Sequence, residues 1–227
     1  MTLERHDDDA SAAAARGAKM VAMTAANWAS LGGLAPAGGR LLVASPLLTD
    51  PHFARTVLYL LEHDGGGTVG VVLNRPSHTP VGQVLPDWQD AVSGPAVVFG
   101  GGPVQPDGAL CLGQLDAPGG HSPASGEVPV DGPGVRRVVD RVATVDLDGD
   151  VAVIGGITSR LRVFAGHAGW SHGQLDAELA EGAWWIVPGS PADLFSDDPR
   201  PMWSRVLRRQ APPLNLVSTY PVDPLLN

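Results

Sequence analysis

The sequence predicts a domain of mixed α and β structure that is built from short strands. Hydrophobic residues make up 44% of the 227 residues, which is enough to bury a core. Glycine, with 29 residues, and proline, with 21, together exceed a fifth of the chain and favour many turns over long helices. Short apolar segments alternate with these turn residues from Arg40 onward. We therefore expect one large domain in which short strands predominate.

A β-hairpin over residues 56–74 is the clearest local prediction. Residues 56–63, TVLYLLEH, are rich in the β-branched and aromatic side chains that favour strands. The sequence DGGG at 64–67 signals a turn, and TVGVVLN at 68–74 returns as a second strand. The two arms should therefore pair in antiparallel fashion.

Further strands are predicted wherever a short apolar segment is bounded by turn residues. They are expected at residues 41–45, 97–99, 109–113, 142–147, 160–164 and 183–188. The segments 97–99 and 109–113 flank the loop GGGPVQPDG, so we expect them to pair around a broad turn. Residues 148–156 are ambiguous, because their valines favour a strand while Asp148 could cap a short helix.

Two helices are predicted in the C-terminal part of the chain. The first covers residues 174–182 and ends at Gly182. The second begins with Asp198 as its N-cap and Pro199 as its first helical residue, and it ends before Pro212.

Composition divides the chain into three parts. Residues 1–35 are rich in alanine and acidic side chains and are predicted to form a mobile extension. Residues 36–211 are expected to form the domain, and residues 212–227 an extended C-terminal tail. Within the domain, residues 114–134 are polar and rich in proline and glycine, which is typical of an exposed loop.

Charge and cysteine content narrow the class of protein. The formal net charge is −9 and the isoelectric point is about 5.1, which argues against general nucleic-acid binding, because that affinity comes largely from cations at phosphates. Cys111 is the only cysteine, so an internal disulfide framework or a multi-cysteine metal site is excluded. No run approaches the ~18 consecutive apolar residues of a membrane helix. Residues 7–9 are acidic where a secretion signal would be basic, so we expect a cytoplasmic protein.

The sequence GWSHG at residues 169–173 matches the G-x-S-x-G motif of serine hydrolases. In that fold an acid and then a histidine follow the serine, but His172 is the last histidine of this chain. Ser171 and Gln174 also have the spacing of a capping box, in which the hydroxyl accepts from a helical N–H and the glutamine reaches back. The capping box is the better interpretation.

Other motif-like segments point to no cofactor or metal. DLDGD at 146–150 begins like a calcium loop but lacks the glycine and the glutamate at their required positions. The glycine-rich segments 64–68 and 99–104 lack the lysine of a P-loop. The histidines are scattered, and Cys111 lies in an apolar strand, which predicts a buried inert thiol. We therefore expect neither a cofactor nor a bound metal.

Polar residues at the ends of the hairpin form a candidate site. Arg55 precedes the first arm, Glu62 and His63 end it, and Asn74 and Arg75 end the second arm. Because the arms are antiparallel, Asn74 should lie near the start of the first arm and His63 at the opposite end. These side chains either take part in ligand binding or are solvated strand ends.

The segment GHAGW at residues 166–170 is a second candidate, predicted to be a loop that leads into a helix. The start of that helix could hold a small anion or a polar ligand group, with Trp170 as an apolar wall and Gln174 as a polar handle. Trp170 could instead anchor the helix to the sheet. Gly102, in the glycine-rich segment 99–104, completes the set of ligand-binding candidates.

Several segments form a joint pattern, in this order and spacing: LLVASPLLTDPHFARTVLYLLEH, GVVLNRP, VVFGGGPV, RVFAGHAGWSHGQLDAELAEGAWW and DLF, with Trp203 beyond. The pattern runs from about Arg40 to Leu207 and resembles the YqgE/AlgH family. The resemblance implies an α+β fold in which a bifurcated, partly barrel-like mixed sheet of short strands is wrapped by helices. It also implies a short helix at residues 149–155.

Three features of the chain depart from the family pattern. The N-terminal extension lies outside it. His167 stands where the family usually has tyrosine, and Gly113 stands where a histidine is common. A mechanism that relies on either of those side chains is therefore not implied for this chain.

The resemblance does not name a reaction. The family is described as uncharacterised, and some members are called candidate transcriptional regulators, although no helix-turn-helix pattern is legible here. We therefore expect a cytoplasmic binding or regulatory protein that acts through a protein partner or a small ligand. The alternative is an enzyme of unrecognised type that uses His63 with Glu62 or Arg75. Direct DNA binding is disfavoured by the charge balance.

Overall fold

A computed structural model gives the architecture of the chain, and it describes residues 31, 33–116, 131, 132 and 134–221. The predicted N-terminal extension therefore lies almost entirely outside the described residues, as do most of the predicted loop at 114–134 and the last six residues of the tail.

The described residues form one sheet of 11 strands. The strands are β1 (Leu41–Ala44), β2 (Val57–Asp64), β3 (Gly67–Val72), β4 (Pro76–Pro80), β5 (Val97–Gly100), β6 (Val104–Leu115), β7 (Asp131–Gly132), β8 (Val135–Val139), β9 (Val142–Val145), β10 (Thr158–Ser171) and β11 (Trp184–Val187). The α-helices are short: α1 (Val81–Val84), α2 (Val151–Gly155), α3 (Gln174–Ala180), α4 (Pro191–Leu194) and α5 (Met202–Arg208). Two 3₁₀ helices cover Pro86–Trp88 and Leu214–Thr219.

The sheet is mixed and divides along its longest strand, β10. The main path runs β11-β1-β2-β3-β10-β6-β9-β8-β7, and its neighbours are antiparallel. Residues 168–171 of β10 pair with β3, whereas residues 164 and 165 pair in parallel with β5, which in turn pairs with β4. The sheet curls far enough for β2 to touch β8. The implied α+β fold, with a bifurcated and partly barrel-like sheet, is confirmed.

Both faces of β2 are buried over residues 57–61, which explains why this part of the strand is a continuous apolar run. Val57, Tyr59 and Leu61 alternate with Leu58 and Leu60 and pack into a different core cluster from them. The first cluster fills the concave side of the sheet and includes these side chains of α5: Met202, Trp203, Val206 and Leu207. The helix thus closes one part of the half-barrel interior.

The predicted hairpin is confirmed, with β2 and β3 joined by a tight turn in antiparallel register. The predicted pairing of segments 97–99 and 109–113 is wrong, because both strands flank β10. Phe164 of β10 pairs with Phe99 on one edge and with Leu110 on the other. The intervening glycines carry the chain across β10: a Cβ on Gly101 would lie 2.2 Å from the carbonyl oxygen of Gly166.

Residues 166–170 were predicted to be a loop and are instead part of β10. Glycines suggested a turn, but Ala168 and Gly169 pair with β3 in regular register. Pairing with neighbouring strands therefore outweighs the local preference of glycine for turns.

The helix boundaries also differ from the predicted ones. Asp150, and not Asp148, caps α2, because its Oδ1 accepts from the N–H of Ala152 at 2.8 Å. Helix α5 begins at Met202, so the prediction of Asp198 as N-cap and Pro199 as first helical residue is wrong. Asp198 instead accepts from Arg205 through its backbone oxygen at 2.9 Å.

Part of the C-terminal segment, which was predicted to be extended from residue 212, is helical. Leu214–Thr219 is a 3₁₀ helix whose Leu214 and Val217 are buried in the first core cluster. None of the helices in the described ranges has the length and apolar character needed to cross a membrane.

The Tyr59 hydroxyl is buried and has no hydrogen-bond partner among the residues that the structure describes. Tyr59→Phe is therefore expected to leave the free energy of unfolding unchanged or to raise it by about 1 kcal/mol. Thr56→Val is the contrasting variant, since the buried Thr56 hydroxyl donates to the backbone oxygen of Phe53 at 2.7 Å and its loss should cost about 1 kcal/mol. Urea unfolding at pH 7 measures both values.

Tyr59 also predicts that the free energy of unfolding depends on pH. Burial, together with the negative charges of Asp140 and Asp193, raises the pKa of Tyr59 to about 12. The unfolded chain loses this proton near pH 10, so stability should fall as the pH rises from about 10 through 12. Tyr59→Phe should make that fall shallower. An equal fall in both proteins, or a clear destabilisation at pH 7, would contradict this account of the hydroxyl.

Candidate functional site

Asn74, one of the predicted ligand-binding residues, closes the open end of the hairpin. Its Oδ1 accepts from the N–H of Val57 at 3.0 Å, and its Nδ2 donates to the backbone oxygen of Arg55 at 2.9 Å. The buried amide thus continues the hydrogen bonding of the two strands beyond the last backbone pair. Both polar atoms of the Asn74 side chain are therefore bound to the backbone, which explains this residue without a ligand.

The two arginines of the hairpin are held by backbone carbonyls at this same end. Arg55 Nη1 donates to the carbonyl oxygen of Tyr220 at 3.0 Å, and its guanidinium carbon lies 3.9 Å from the centroid of the Trp203 ring. Arg75 Nη2 donates to the carbonyl oxygen of Ala54 at 2.7 Å. Burial lowers the pKa of both arginines. Arg55 therefore stabilises the packing of the C-terminal segment on the core, and Arg75 stabilises the turn before β2.

His63 lies at the far end of the hairpin, as predicted from the antiparallel arrangement. Its Nδ1 is 2.7 Å from the hydroxyl oxygen of Thr68, its cross-strand neighbour. The length of the hairpin separates His63 from Arg75, so the structure does not bring these two together. Glu62, the preceding residue, lines a different surface that is described below.

Trp170 and Gln174 meet at the carboxylate of Glu178. Trp170 is 6% exposed, and its Nε1 donates to Glu178 Oε2 at 2.9 Å. Trp184 Nε1 donates to the same oxygen at 2.7 Å, and Gln174 Nε2 donates to Glu178 Oε1 at 3.0 Å. Trp170 therefore anchors α3 to the sheet, and it is not among the residues that line the cleft described below.

The predicted capping box at Ser171 and Gln174 is only half formed. Gln174 Oε1 does reach back to the N–H of Ser171 at 3.1 Å, but the Ser171 hydroxyl also donates to that oxygen at 3.2 Å and caps no helical N–H. The N-cap of α3 is Gly173, at φ 72°, because Ser171 is still part of β10. A serine nucleophile is not assembled by the described residues either, since among them the hydroxyl of the exposed Ser171 is bound only to Gln174.

Gly102 is required by close packing of the backbone. Its φ is 151°, and a Cβ at this position would lie 2.3 Å from the carbonyl carbon of His167. A side chain here would push β10 away from the strand connection. The glycine is therefore explained without a ligand.

A cleft of about 300 Å³ opens on the concave side of the sheet, and the described residues that line it all belong to strands. Its walls come from both halves of the curled sheet, with β2 and β3 on one side and β6, β8, β9 and β10 on the other. The lining residues are Leu61, Glu62, Val69, Gln105, Gly108, Ala109, Leu110, Arg136, Val138, Thr144, Gly166 and His167. Leu61 belongs to the first core cluster, and Val69, Leu110 and Val138 pack against it, so the cleft continues the core toward solvent.

Charged and polar side chains line this cleft above the apolar floor. Glu62 and Arg136 are exposed, and His167 is half-buried. In the part of the chain that the structure describes, these side chains make no ion pair or side-chain hydrogen bond of their own, in contrast to the candidates at the hairpin and at α3. They are therefore available to a ligand.

A bulge in β6 forms the rim of the cleft. Ala165 pairs with Ala109 and His167 pairs with Val104, so Gly166 alone stands opposite residues 105–108. Gln105 within this bulge has φ 48°, a conformation that side chains other than glycine rarely adopt. Such strained residues concentrate at functional sites.

Of the lining residues, Glu62 was considered from the sequence as a partner for His63, and Gly166 and His167 belong to the segment 166–170 that was the second candidate. Arg136 lies in VRRVV, a strand that was not predicted because two arginines interrupt its apolar residues. Strand alternation would have placed Arg136 and Val138 on one face. The curl that brings this face opposite β2 has no signal in the local sequence.

Other groups contribute little to a chemical site. Burial raises the pKa of the Cys111 thiol to about 12, so it is not a thiolate nucleophile at neutral pH. Within the described ranges, no group of three or more His, Cys, Asp or Glu side chains is close enough to hold a metal ion.

The fold is that of an α+β domain with a curled, divided sheet and a small open cleft on its concave side. The family model described as AlgH-like (DUF179) matches residues 41–215. A UPF0301 protein of Streptomyces coelicolor is 50% identical over 190 residues, which cover 83% of this chain and 94% of the relative. A UPF0301 protein of Thermobifida fusca is 47% identical over 190 residues, with the same coverage of both chains. The chain belongs to the AlgH-like, UPF0301 family.

Solved structures of relatives share the fold. The crystal structure of protein DIP2367 from Corynebacterium diphtheriae has a TM-score of 0.74 at 32% identity and covers 86% of this chain and 97% of its own. The solution structure of the AlgH protein from Pseudomonas aeruginosa has a TM-score of 0.57 at 31% identity, with 82% and 96% covered. These relatives confirm the YqgE/AlgH resemblance that the sequence pattern indicated.

Proposed function

We propose that this protein is a cytoplasmic binding protein that takes a small ligand in the concave cleft. One observation carries the proposal: Glu62, Arg136 and His167 line the same cleft, above apolar side chains, and among the residues that the structure describes none of them is paired with another side chain. Small-molecule sites combine these properties, with an apolar lining and a few polar groups that fix the ligand's orientation. A regulatory role, including the transcriptional role suggested for some family members, would be exerted by the protein with the ligand bound in this cleft.

Binding is favoured over catalysis by the arrangement of the other candidates. The alternative of an enzyme using His63 with Glu62 or Arg75 needs these groups to converge. His63 is paired with Thr68, Arg75 is bound to Ala54, and of the three residues only Glu62 lines the cleft. General nucleic-acid binding is disfavoured as well, since the net charge is −9 and the described lining residues include one arginine, Arg136, and no lysine.

Filling the cleft should abolish retention of a ligand. Ala109 is exposed and lines the cleft, so Ala109→Trp is expected to occupy the space without disturbing the core. Ala177→Trp is the matched control, since Ala177 is exposed on α3 and lies outside the lining. Native mass spectrometry of protein purified from its own host should show a low-mass species on the wild type and on the control but not on Ala109→Trp.

A species retained equally by both tryptophan variants would contradict the cleft as the binding site. So would a host-purified wild type that carries no small molecule at all.

A further inference from the structure

The charges of the cleft define the class of ligand that fits it. Glu62 reaches the cleft from β2, and Arg136 reaches it from β8. These side chains carry opposite charges and line the same cavity of about 300 Å³, yet no ion pair joins them. We infer that the ligand is a small zwitterion with an aliphatic side chain, such as an α-amino acid, an inference that rests on the proposed binding function.

Arg136 matches the carboxylate of such a ligand. A guanidinium presents parallel N–H groups that pair with both oxygens of a carboxylate. The backbone oxygen of Arg136 accepts from the Thr144 hydroxyl at 3.2 Å, which ties the Arg136 strand to β9. The guanidinium therefore projects from a position that is fixed by the sheet.

Glu62 matches the ammonium group. A carboxylate accepts the N–H donors of an ammonium in a charge-assisted bond. The same carboxylate would repel a ligand with only negative charge, such as a phosphate ester. His167 and Gln105 line the same cleft and add further hydrogen-bonding groups.

The floor matches an aliphatic side chain. Leu61, Val69, Leu110 and Val138 line the cleft and are continuous with the first core cluster. Ligand pockets usually measure about 300–1,000 Å³, so this cleft lies at the small end. A dinucleotide or other large cofactor would extend beyond it, whereas an amino acid fits.

Three probes with the same branched chain separate the contributions of the ligand's ammonium and carboxylate groups to the binding affinity. L-Leucine carries both charges, 4-methylpentanoic acid lacks the ammonium, and 3-methylbutylamine lacks the carboxylate. Isothermal titration calorimetry of the full chain should show L-leucine binding at least about tenfold more tightly than either analogue. Glu62→Gln and Arg136→Gln should each weaken L-leucine binding at least about tenfold. Asp176→Asn and Arg208→Gln, exposed residues outside the cleft, should leave it unchanged.

The preference for L-leucine over each analogue should also be lost in the variant that lacks the matching charge. Glu62→Gln should bring L-leucine and 4-methylpentanoic acid to similar affinities, and Arg136→Gln should do the same for L-leucine and 3-methylbutylamine. Ala109→Trp should abolish binding of L-leucine.

Several results would overturn the inference. Equal binding of L-leucine and 4-methylpentanoic acid by the wild type would mean that the ammonium is not recognised. Binding of L-leucine that survives Ala109→Trp would place the site elsewhere. No binding of L-leucine, with a host-derived ligand that Ala109→Trp still removes, would overturn the zwitterion class and leave the proposed function standing. No binding and no host-derived ligand would overturn both.

Discussion

Replacing Arg162 by methionine is expected to lower the free energy of unfolding by about 3–5 kcal/mol. Arg162 is 1% exposed, and its guanidinium donates to the carbonyl oxygens of Leu194 (2.7 Å), Gly94 (2.6 Å) and Ser196 (2.9 Å). Its Cζ also lies 4.3 Å from the centroid of the Phe99 ring. Methionine fills similar space but leaves these carbonyls without their donor.

Burial lowers the pKa of Arg162 to about 10, so the side chain remains a cation at neutral pH. Three carbonyl oxygens and the negative charge of Asp197 stabilise this cation. Because the carbonyls are placed for a guanidinium, Arg162→Lys should recover only part of the loss. Arg160→Met is the control: Arg160 is exposed and its side chain donates to the carbonyl oxygen of Phe195 at 2.8 Å, so its loss should cost less than about 1 kcal/mol. Chemical denaturation compares the variants. Equal losses at Arg162 and Arg160 would disprove a special role of the buried cation.

Replacing Glu178 by leucine is expected to cost about 2–4 kcal/mol. Its Oε2 accepts from the indole N–H groups of both Trp170 and Trp184, which are 6% and 2% exposed. These rings also pack edge to face, with centroids 5.9 Å apart. Leucine would leave two buried donors without an acceptor.

Glu178→Gln keeps one carbonyl oxygen that can accept from both indoles, so it should cost clearly less than leucine. Glu181→Leu is the matched control, since Glu181 is exposed at the end of the same helix. Urea unfolding followed by tryptophan fluorescence measures all three variants. If Glu178→Leu is no more destabilising than Glu181→Leu, the shared carboxylate does not hold the two indoles.

The local sequence was sufficient to predict those strands whose pairing partners are nearby in the chain. The hairpin of β2 and β3 was predicted in its correct place because strand residues and turn glycines lie within 20 residues of each other. The segment 166–170 was assigned to a loop because its glycines have weak strand preference, whereas pairing with β3, far away in the sequence, decides its structure. The short helix α2 followed from the family resemblance, and the residues alone left it undecided.

The cleft was harder to predict, for a physical reason. The candidates chosen from the sequence are polar residues at the ends of strands and turns. Side chains at such positions often bind backbone groups, as those of Asn74 and Arg75 do. Glu62, Arg136 and His167 come from three strands that only the curl of the sheet brings together. Strand alternation can assign a face to each residue, but it does not show which faces lie opposite one another.

The pairing of β1 with β11 also bears on the order of events during synthesis. Leu41 pairs with Val187, so the first strand acquires one of its neighbours only when almost the whole domain has left the ribosome. At about 5–20 residues per second, this wait is on the order of 10 seconds. The nascent hairpin meanwhile exposes two apolar faces and an unpaired edge, which are the features that holdase chaperones recognise and that promote aggregation. Contacts this distant in sequence also predict slow refolding of the complete chain.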